Sequence, residues 1–337
     1  MKCICLEQPG KIGVKEIAEV SRQEGEALIQ VESAGICGSD VGAFRGSNPL
    51  VTYPRVIGHE VVGTILEIGE NETGLKAGDR VIVDPYIYCG QCYPCSIGRT
   101  NCCEKLRVIG VHIDGGMAER IVHPARMLHK VPDSIPLELA PMAEPLTIAL
   151  HALHRTRTKA GEHVCIIGAG AIGLLMAQAA LTYGAFPIVL DVVEERLAFA
   201  RKLGVQHTIL AGVEDAKKRI KEITGGRMAE IVVEASGANA AVRGAIDYVS
   251  HAGRIALTGW PKVETSMPTS LFTFKEVDIM GSRTSAGEFG EALALIANGQ
   301  IDVRPIVSKV VKFAEVPDSV QELSEHPERY LKIITLF

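Results

Sequence analysis

Four cysteines fall close together as Cys89-x2-Cys92-x2-Cys95-x7-Cys103, in a stretch broken by Gly90, Pro94 and Gly98. Soft thiolates gathered in one loop are what a closed tetrahedral zinc site requires. Such a site leaves no coordination position open, so its work is to fix the loop rather than to react. Cys102 stands beside Cys103, and spacing alone lets either supply the fourth sulfur. A second pattern is Gly168-Ala169-Gly170-Ala171-Ile172-Gly173. The first glycine permits a tight turn, the second lets a pyrophosphate approach the backbone, and the third lets helix and strand pack closely. Asp191, 18 residues after Gly173, is placed to accept hydrogen bonds from ribose hydroxyls. Val192-Val193 bring no positive charge for a 2′-phosphate, so NAD is expected rather than NADP. Arg196, one helical turn further on, could lie over the adenine.

These residues need elements to hold them. Val164 to Ile167 reads as a buried strand and Ile172 to Tyr183 as a helix, so the glycines sit at a strand-to-helix turn. Strand and helix then alternate. Strands are expected at Pro187 to Leu190, Thr208 to Leu210, Ile231 to Glu234 and Arg254 to Leu257, and helices at Glu194 to Leu203, Val213 to Thr224 and Asn239 to Val249. Apolar strands alternating with helices imply a parallel, doubly wound sheet. Before residue 140 the texture differs: short β-type runs such as Ala27 to Glu32, Val61 to Ile68 and Arg80 to Val83 are separated by Gly and Pro, as in a barrel or sandwich. The last 50 or so residues are mixed and could return to that first domain.

The 337 residues suffice for two domains at roughly 150 each. Forty acidic against 35 basic side chains give a net charge of −5, which offers no basic field for nucleic acid or an anionic membrane. No apolar run reaches the length of a membrane span, and nine cysteines without an export signal fit a reducing compartment. A soluble, cytoplasmic protein is expected.

Gly35-Ile36-Cys37-Gly38-Ser39-Asp40 and Gly58-His59-Glu60-x2-Gly63-x5-Gly69, with the cysteine loop and the glycine fingerprint in this order, resemble the zinc-containing medium-chain alcohol dehydrogenases over essentially the whole length. The resemblance implies an α/β plus β fold. A GroES-like barrel catalytic domain would span 1–145 and 285–337, carrying a structural zinc loop at 89–103, and a doubly wound Rossmann domain at 146–284 would bind NAD. It implies a catalytic and a structural zinc in each subunit, selects Cys103 as the fourth sulfur, and makes Cys37 and His59 ligands of the catalytic zinc, with Glu60 a direct or interchanging one. Glu144 stands where simple alcohol dehydrogenases carry cysteine and the polyol, sorbitol-type branch carries glutamate.

Zinc acidifies a bound alcohol, and hydride then passes to the nicotinamide. Ser39 would take the hydroxyl proton first. Close relatives carry a histidine three residues later, whereas this chain has Gly42, so Asp40, a ribose hydroxyl or a water chain would carry the proton on, with a modest rate or a more alkaline optimum. Tyr53 to Glu60, Gly98 to Lys105, Val108 to Gly116 and Met280 to Arg283 most resemble the L-gulonate and L-galactonate 5-dehydrogenases. Arg283 would then grip a distal hydroxyl or a carboxylate, and His112 would line the cleft. Sorbitol, galactitol, a simple alcohol or L-threonine are alternative substrates, and a structural nucleotide-binding protein is the alternative outside enzymes. A homodimer or homotetramer is implied by the family.

Overall fold

The computed structural model describes all residues from Met1 to Phe337. The chain divides into two compact units. One comprises Met1–Glu144, Phe289–Asn298 and Val303–Phe337, and the other Pro145–Glu288 with Gly299–Asp302.

The first unit is built on a seven-stranded sheet whose long central strand is Glu26–Ile36. Its Ala, Leu, Ile and Val side chains are almost all buried, and it pairs antiparallel with Glu60–Ile68, Arg120–Pro124 and Lys332–Leu336. A smaller sheet joins Lys2–Gln8 to Lys11–Glu16 and Arg55–Val56. Ile4, Leu6, Ile29, Ile57, Ile65, Met117 and Ile333 form one core. Each such side chain contributes about 1.5–3 kcal/mol on leaving water, which fixes the strand registers. The C-terminal segments supply Val307–Lys312 and Lys332–Leu336 to this sheet.

The second unit holds a six-stranded parallel sheet. In spatial order its strands are His207–Leu210, Phe186–Asp191, His163–Ile167, Ala229–Glu234, Val249–Leu257 and Asp278–Gly281. The strand order reverses between His163–Ile167 and Ala229–Glu234, the place where a doubly wound sheet opens a crevice at its carboxyl edge. Val164, Cys165, Ile166, Ile188, Val189 and Leu190 are buried because both faces are covered, which is why they read as unbroken apolar runs. The helix expected from Val213 begins only at Ala216, because Asp215 caps it by accepting the Lys218 N–H at 3.0 Å. The sixth strand, Asp278–Gly281, is an exposed edge in which only Met280 is partly buried, and it carries no apolar run that would announce it. No helix is long and apolar enough to cross a membrane.

Candidate active site

In the first unit, register brings distant residues together. Gly35 pairs with Glu60, and continuing that antiparallel ladder puts Cys37, just past the strand end, across from Gly58 and beside His59. Ile333 pairs with Ile36, so Lys332 arrives at the same place from a third strand. Two glycines make room. A Cβ on Gly35 would lie 1.8 Å from Glu60 Oε2, and one on Gly58, whose φ is +96°, would lie 2.6 Å from Met117 Cγ. Asp40 braces the turn, accepting the Cys37 N–H at 2.9 Å and the Gly58 N–H at 3.3 Å. Both of its oxygens are therefore committed to backbone.

The ligand atoms of Cys37, His59 and Glu60 lie within 4.8 Å of one another. Glu60 Oε2, His59 Nδ1 and Ser39 Oγ are buried without a hydrogen-bond partner. Buried polar atoms are ordinarily paired, so orphans around one thiol mark a place built for something else, and a sulfur, an imidazole and a carboxylate suit zinc. Burial opposes charge on His59, but Cys37 and Asp40 outweigh it and hold the imidazole well above its usual range. Burial works against Lys332 too, yet Glu60 and Cys37 hold its ammonium up, and it donates to Glu60 Oε1.

Glu144 lies outside that close set. It opens the helix Ala143–Arg155, is 1% exposed, and accepts the Tyr86 hydroxyl through Oε1. Burial and Glu60 push its carboxyl up to about 6, against the pull of His59 and the Tyr86 hydroxyl. Sequence reasoning missed Tyr86 and Lys332, since neither belongs to a local pattern.

The loop sulfurs of Cys89, Cys92, Cys95 and Cys103 likewise lie within 4.8 Å of one another; Cys103, rather than Cys102, joins the set. The N–H groups of Gln91 and Cys92 bring the Cys89 thiol down to about 6, whereas burial and the Cys92 sulfur push Cys95 up to about 12. Cys92 and Cys95 sulfurs stand 3.4 Å apart, so four thiolates fit here only around a cation. His112 sits in the turn after Arg107–Val108, its Nδ1 accepting the Val108 N–H at 3.0 Å.

In the second unit, Gly168 follows the strand His163–Ile167 with φ +110°, and Gly170 caps the helix Ala171–Thr182, whose first turn includes Ile172. A Cβ on Gly173 would lie 1.9 Å from the Gly168 carbonyl oxygen, so packing itself demands glycine there. Gly170 is different: a Cβ would meet nothing within 4 Å. That open space before a helix N-terminus is where a pyrophosphate can approach amide groups. Asp191 accepts the Ala169 N–H at 2.6 Å and the Val193 N–H at 2.9 Å, and Arg196 Nη1 lies 3.9 Å from it. Across the crevice, Glu234 Oε1 accepts the N–H groups of Ser236 and Gly237 at 2.8 and 2.9 Å, a support that no sequence motif announced. Arg283 follows the edge strand Asp278–Gly281 and is exposed.

Comparison with known proteins agrees with this geometry. The profile described as alcohol dehydrogenase GroES-like domain matches residues 23–133, and zinc-binding dehydrogenase matches 171–298. An uncharacterized zinc-type alcohol dehydrogenase-like protein of Haemophilus influenzae is 61% identical across 100% of this chain and 99% of its own. The L-galactonate-5-dehydrogenase of Escherichia coli is 34% identical over 95% of this chain and 94% of its own. A crystal structure of the Escherichia coli alcohol dehydrogenase rspB complexed with NADH matches with TM-score 0.91 and 33% identity, covering 100% of this chain and 99% of that one. The chain belongs to the zinc-containing medium-chain alcohol dehydrogenases, in their polyol branch. It is thus a zinc-dependent oxidoreductase working with a nicotinamide dinucleotide.

Proposed function

We propose that this enzyme oxidises a secondary hydroxyl of a sugar acid or polyol to a ketone with NAD, reversibly, and that L-gulonate or L-galactonate oxidised at C5 is its best substrate. The observation that carries the reading is the buried set of Cys37, His59 and Glu60 with partnerless polar atoms around it, together with a buried Glu144 whose carboxylate acts on His59 through space. Cys37, His59 and Glu144 would hold the catalytic zinc, with Glu60 interchanging. Cys89, Cys92, Cys95 and Cys103 would hold the structural ion.

When bound, the metal would supply Lewis acidity that makes the substrate hydroxyl acidic, and the nicotinamide a hydride acceptor. The chain's own residues do the rest. Ser39, whose Oγ is buried with no partner, receives the hydroxyl proton. Asp40 is a strut, since both its oxygens hold backbone, so the proton leaves by a water chain or a ribose hydroxyl. Asp191 favours NAD over NADP because its carboxylate would repel a 2′-phosphate, and the adjacent Arg196 Nη1, 3.9 Å away, faces that carboxylate. Arg283 would grip the substrate's carboxylate or distal hydroxyl, and His112 would be a further substrate contact.

Support for a sugar acid comes from the 34% identity to L-galactonate-5-dehydrogenase. The same reading has the enzyme working in the cytoplasm, where its nine free cysteines stay reduced, as a homodimer or homotetramer. The test is a screen of L-gulonate, L-galactonate, L-idonate, sorbitol, galactitol and L-threonine with NAD, read by absorbance of the reduced cofactor. Turnover confined to L-threonine would replace this reading.

A further inference from the structure

We propose that Tyr86 is a positioning residue of the metal centre, holding the Glu144 carboxylate by one oxygen so that Glu144 meets the metal through the other. The proposal rests on the reading of Cys37, His59 and Glu144 as metal ligands.

Tyr86 is 5% exposed and its hydroxyl donates to Glu144 Oε1. A buried phenol beside a buried carboxylate has no water to turn to, so this hydrogen bond fixes the carboxylate's rotation. Tyr86 is itself held firmly. Its N–H donates to Asp84 Oδ1 at 3.1 Å, and the strand Tyr86–Ile87 pairs antiparallel with Arg107–Val108. The four-cysteine loop is the connection between those two short strands. The structural ion would therefore pin the pair from which Tyr86 reaches Glu144, which gives the loop a task at the reacting end of its own unit.

The two carboxylates of the centre are held in different ways. Lys332 brings a positive charge to Glu60 Oε1, whereas Tyr86 brings a neutral donor to Glu144 Oε1. Outer partners of this kind typically control metal affinity by about 10- to 100-fold.

The test uses the full-length enzyme with cobalt(II) in place of zinc. Subtracting the spectrum of Cys37→Ala, which keeps the four-cysteine loop, isolates the bands of the catalytic site. In Tyr86→Phe these d–d bands should weaken and broaden as Glu144 loses its fixed orientation, and zinc should be lost to a chelator about 10-fold more readily. In a Glu144→Ala background, Tyr86→Phe should change neither quantity, because the tyrosine acts through that side chain. Unchanged cobalt bands in Tyr86→Phe, or an equal effect with and without Glu144, overturns the proposal. If the cobalt spectra of the parent and Cys37→Ala superimpose, so that the difference holds no bands, the metal-site reading itself fails, and this inference with it.

Discussion

The two units place their functional groups by opposite strategies. In the dinucleotide unit, Gly168, Gly170, Gly173 and Asp191 lie on one strand-turn-helix-strand passage, and each does its work where the local backbone puts it. In the metal-bearing unit, Cys37, His59, Glu60 and Lys332 meet because one sheet has one register, while Tyr86 comes from a separate two-stranded sheet and Glu144 from a helix. Local motifs make a ligand site robust to distant change. An assembled site instead depends on every strand that delivers a residue, which is why braces such as Asp40 and Lys332 gather there.

The largest effect expected from breaking this contrast is at the assembled site. Cys37→Ala removes the sulfur, and kcat/KM should fall on the order of 10³-fold or more, since a metal's Lewis acidity is worth several kcal/mol. Cys95→Ser, in the four-cysteine loop, should show its primary loss in thermal midpoint. Parallel kinetics and melting curves check both. Equal loss of rate with no loss of stability in the two variants would show that the cysteine clusters do not divide structure from chemistry.

Next comes a pair of identical substitutions within the local motif. Gly173→Ala drives a methyl against the Gly168 carbonyl oxygen at 1.9 Å and should cost about 3 kcal/mol of stability. Gly170→Ala meets no protein atom within 4 Å. Its stability should stay within about 0.5 kcal/mol of the parent, while NAD affinity falls about 10-fold because the methyl fills the space of the pyrophosphate. Calorimetric titration beside chemical denaturation separates the two. Undiminished NAD affinity in Gly170→Ala would place the cofactor elsewhere.

A third contrast is acid stability. In the metal-bearing unit His123 is 1% exposed, and burial holds its pKa down to about 4. The folded state keeps it neutral while the unfolded chain protonates near its ordinary value, so its contribution is whole above pH 6.5 and drains away toward pH 4, up to about 3 kcal/mol. In the dinucleotide unit Glu288 is the reverse case: burial resists its charge, but His151 and His154 bring it down to about 2. Its contribution is present above the usual carboxylate range and is lost only as pH falls toward 2. Hydrogen exchange at descending pH should therefore show amides of the metal-bearing unit opening first, and His123→Gln should narrow the gap. Simultaneous opening that the variant leaves unchanged would count against it.

What could be read from the chain follows the same division. The glycine fingerprint, Asp191 and the cysteine loop are legible because function and spacing share a short stretch. The core strands of the parallel sheet are legible because burial on both faces leaves apolar runs such as Val164 to Ile167. The edge strand Asp278–Gly281 is not, since an exposed edge places no demand on composition. Lys332 meets Glu60 across 272 residues and Tyr86 meets Glu144 across 58, so neither pairing leaves a periodic trace. Resemblance to a family supplied Cys37, His59, Glu60 and Glu144 as a set, and the supporting shell came only with three-dimensional register.

The smallest expected effect concerns the proton path, where this chain lacks a relay histidine. Ser39 and Gly42 are three residues apart on the helix Gly38–Phe44, and side chains at that spacing share a face. A Cβ on Gly42 would lie 3.7 Å from Ser47 Oγ and 3.8 Å from Asn48 Cβ, ordinary contact distances, so a side chain fits without displacing backbone. Gly42→His should therefore fold normally and set an imidazole beside Ser39. With a base that titrates near neutrality next in line, oxidation near pH 7 should gain a few-fold and the optimum should move toward neutral pH. The gain stays far below the ~10² of a direct general base, because the histidine would only pass on a proton that Ser39 has already taken. A pH–rate profile superimposable on the parent's would mean that proton exit does not limit turnover, and that an assembled site can lose a relay residue without cost.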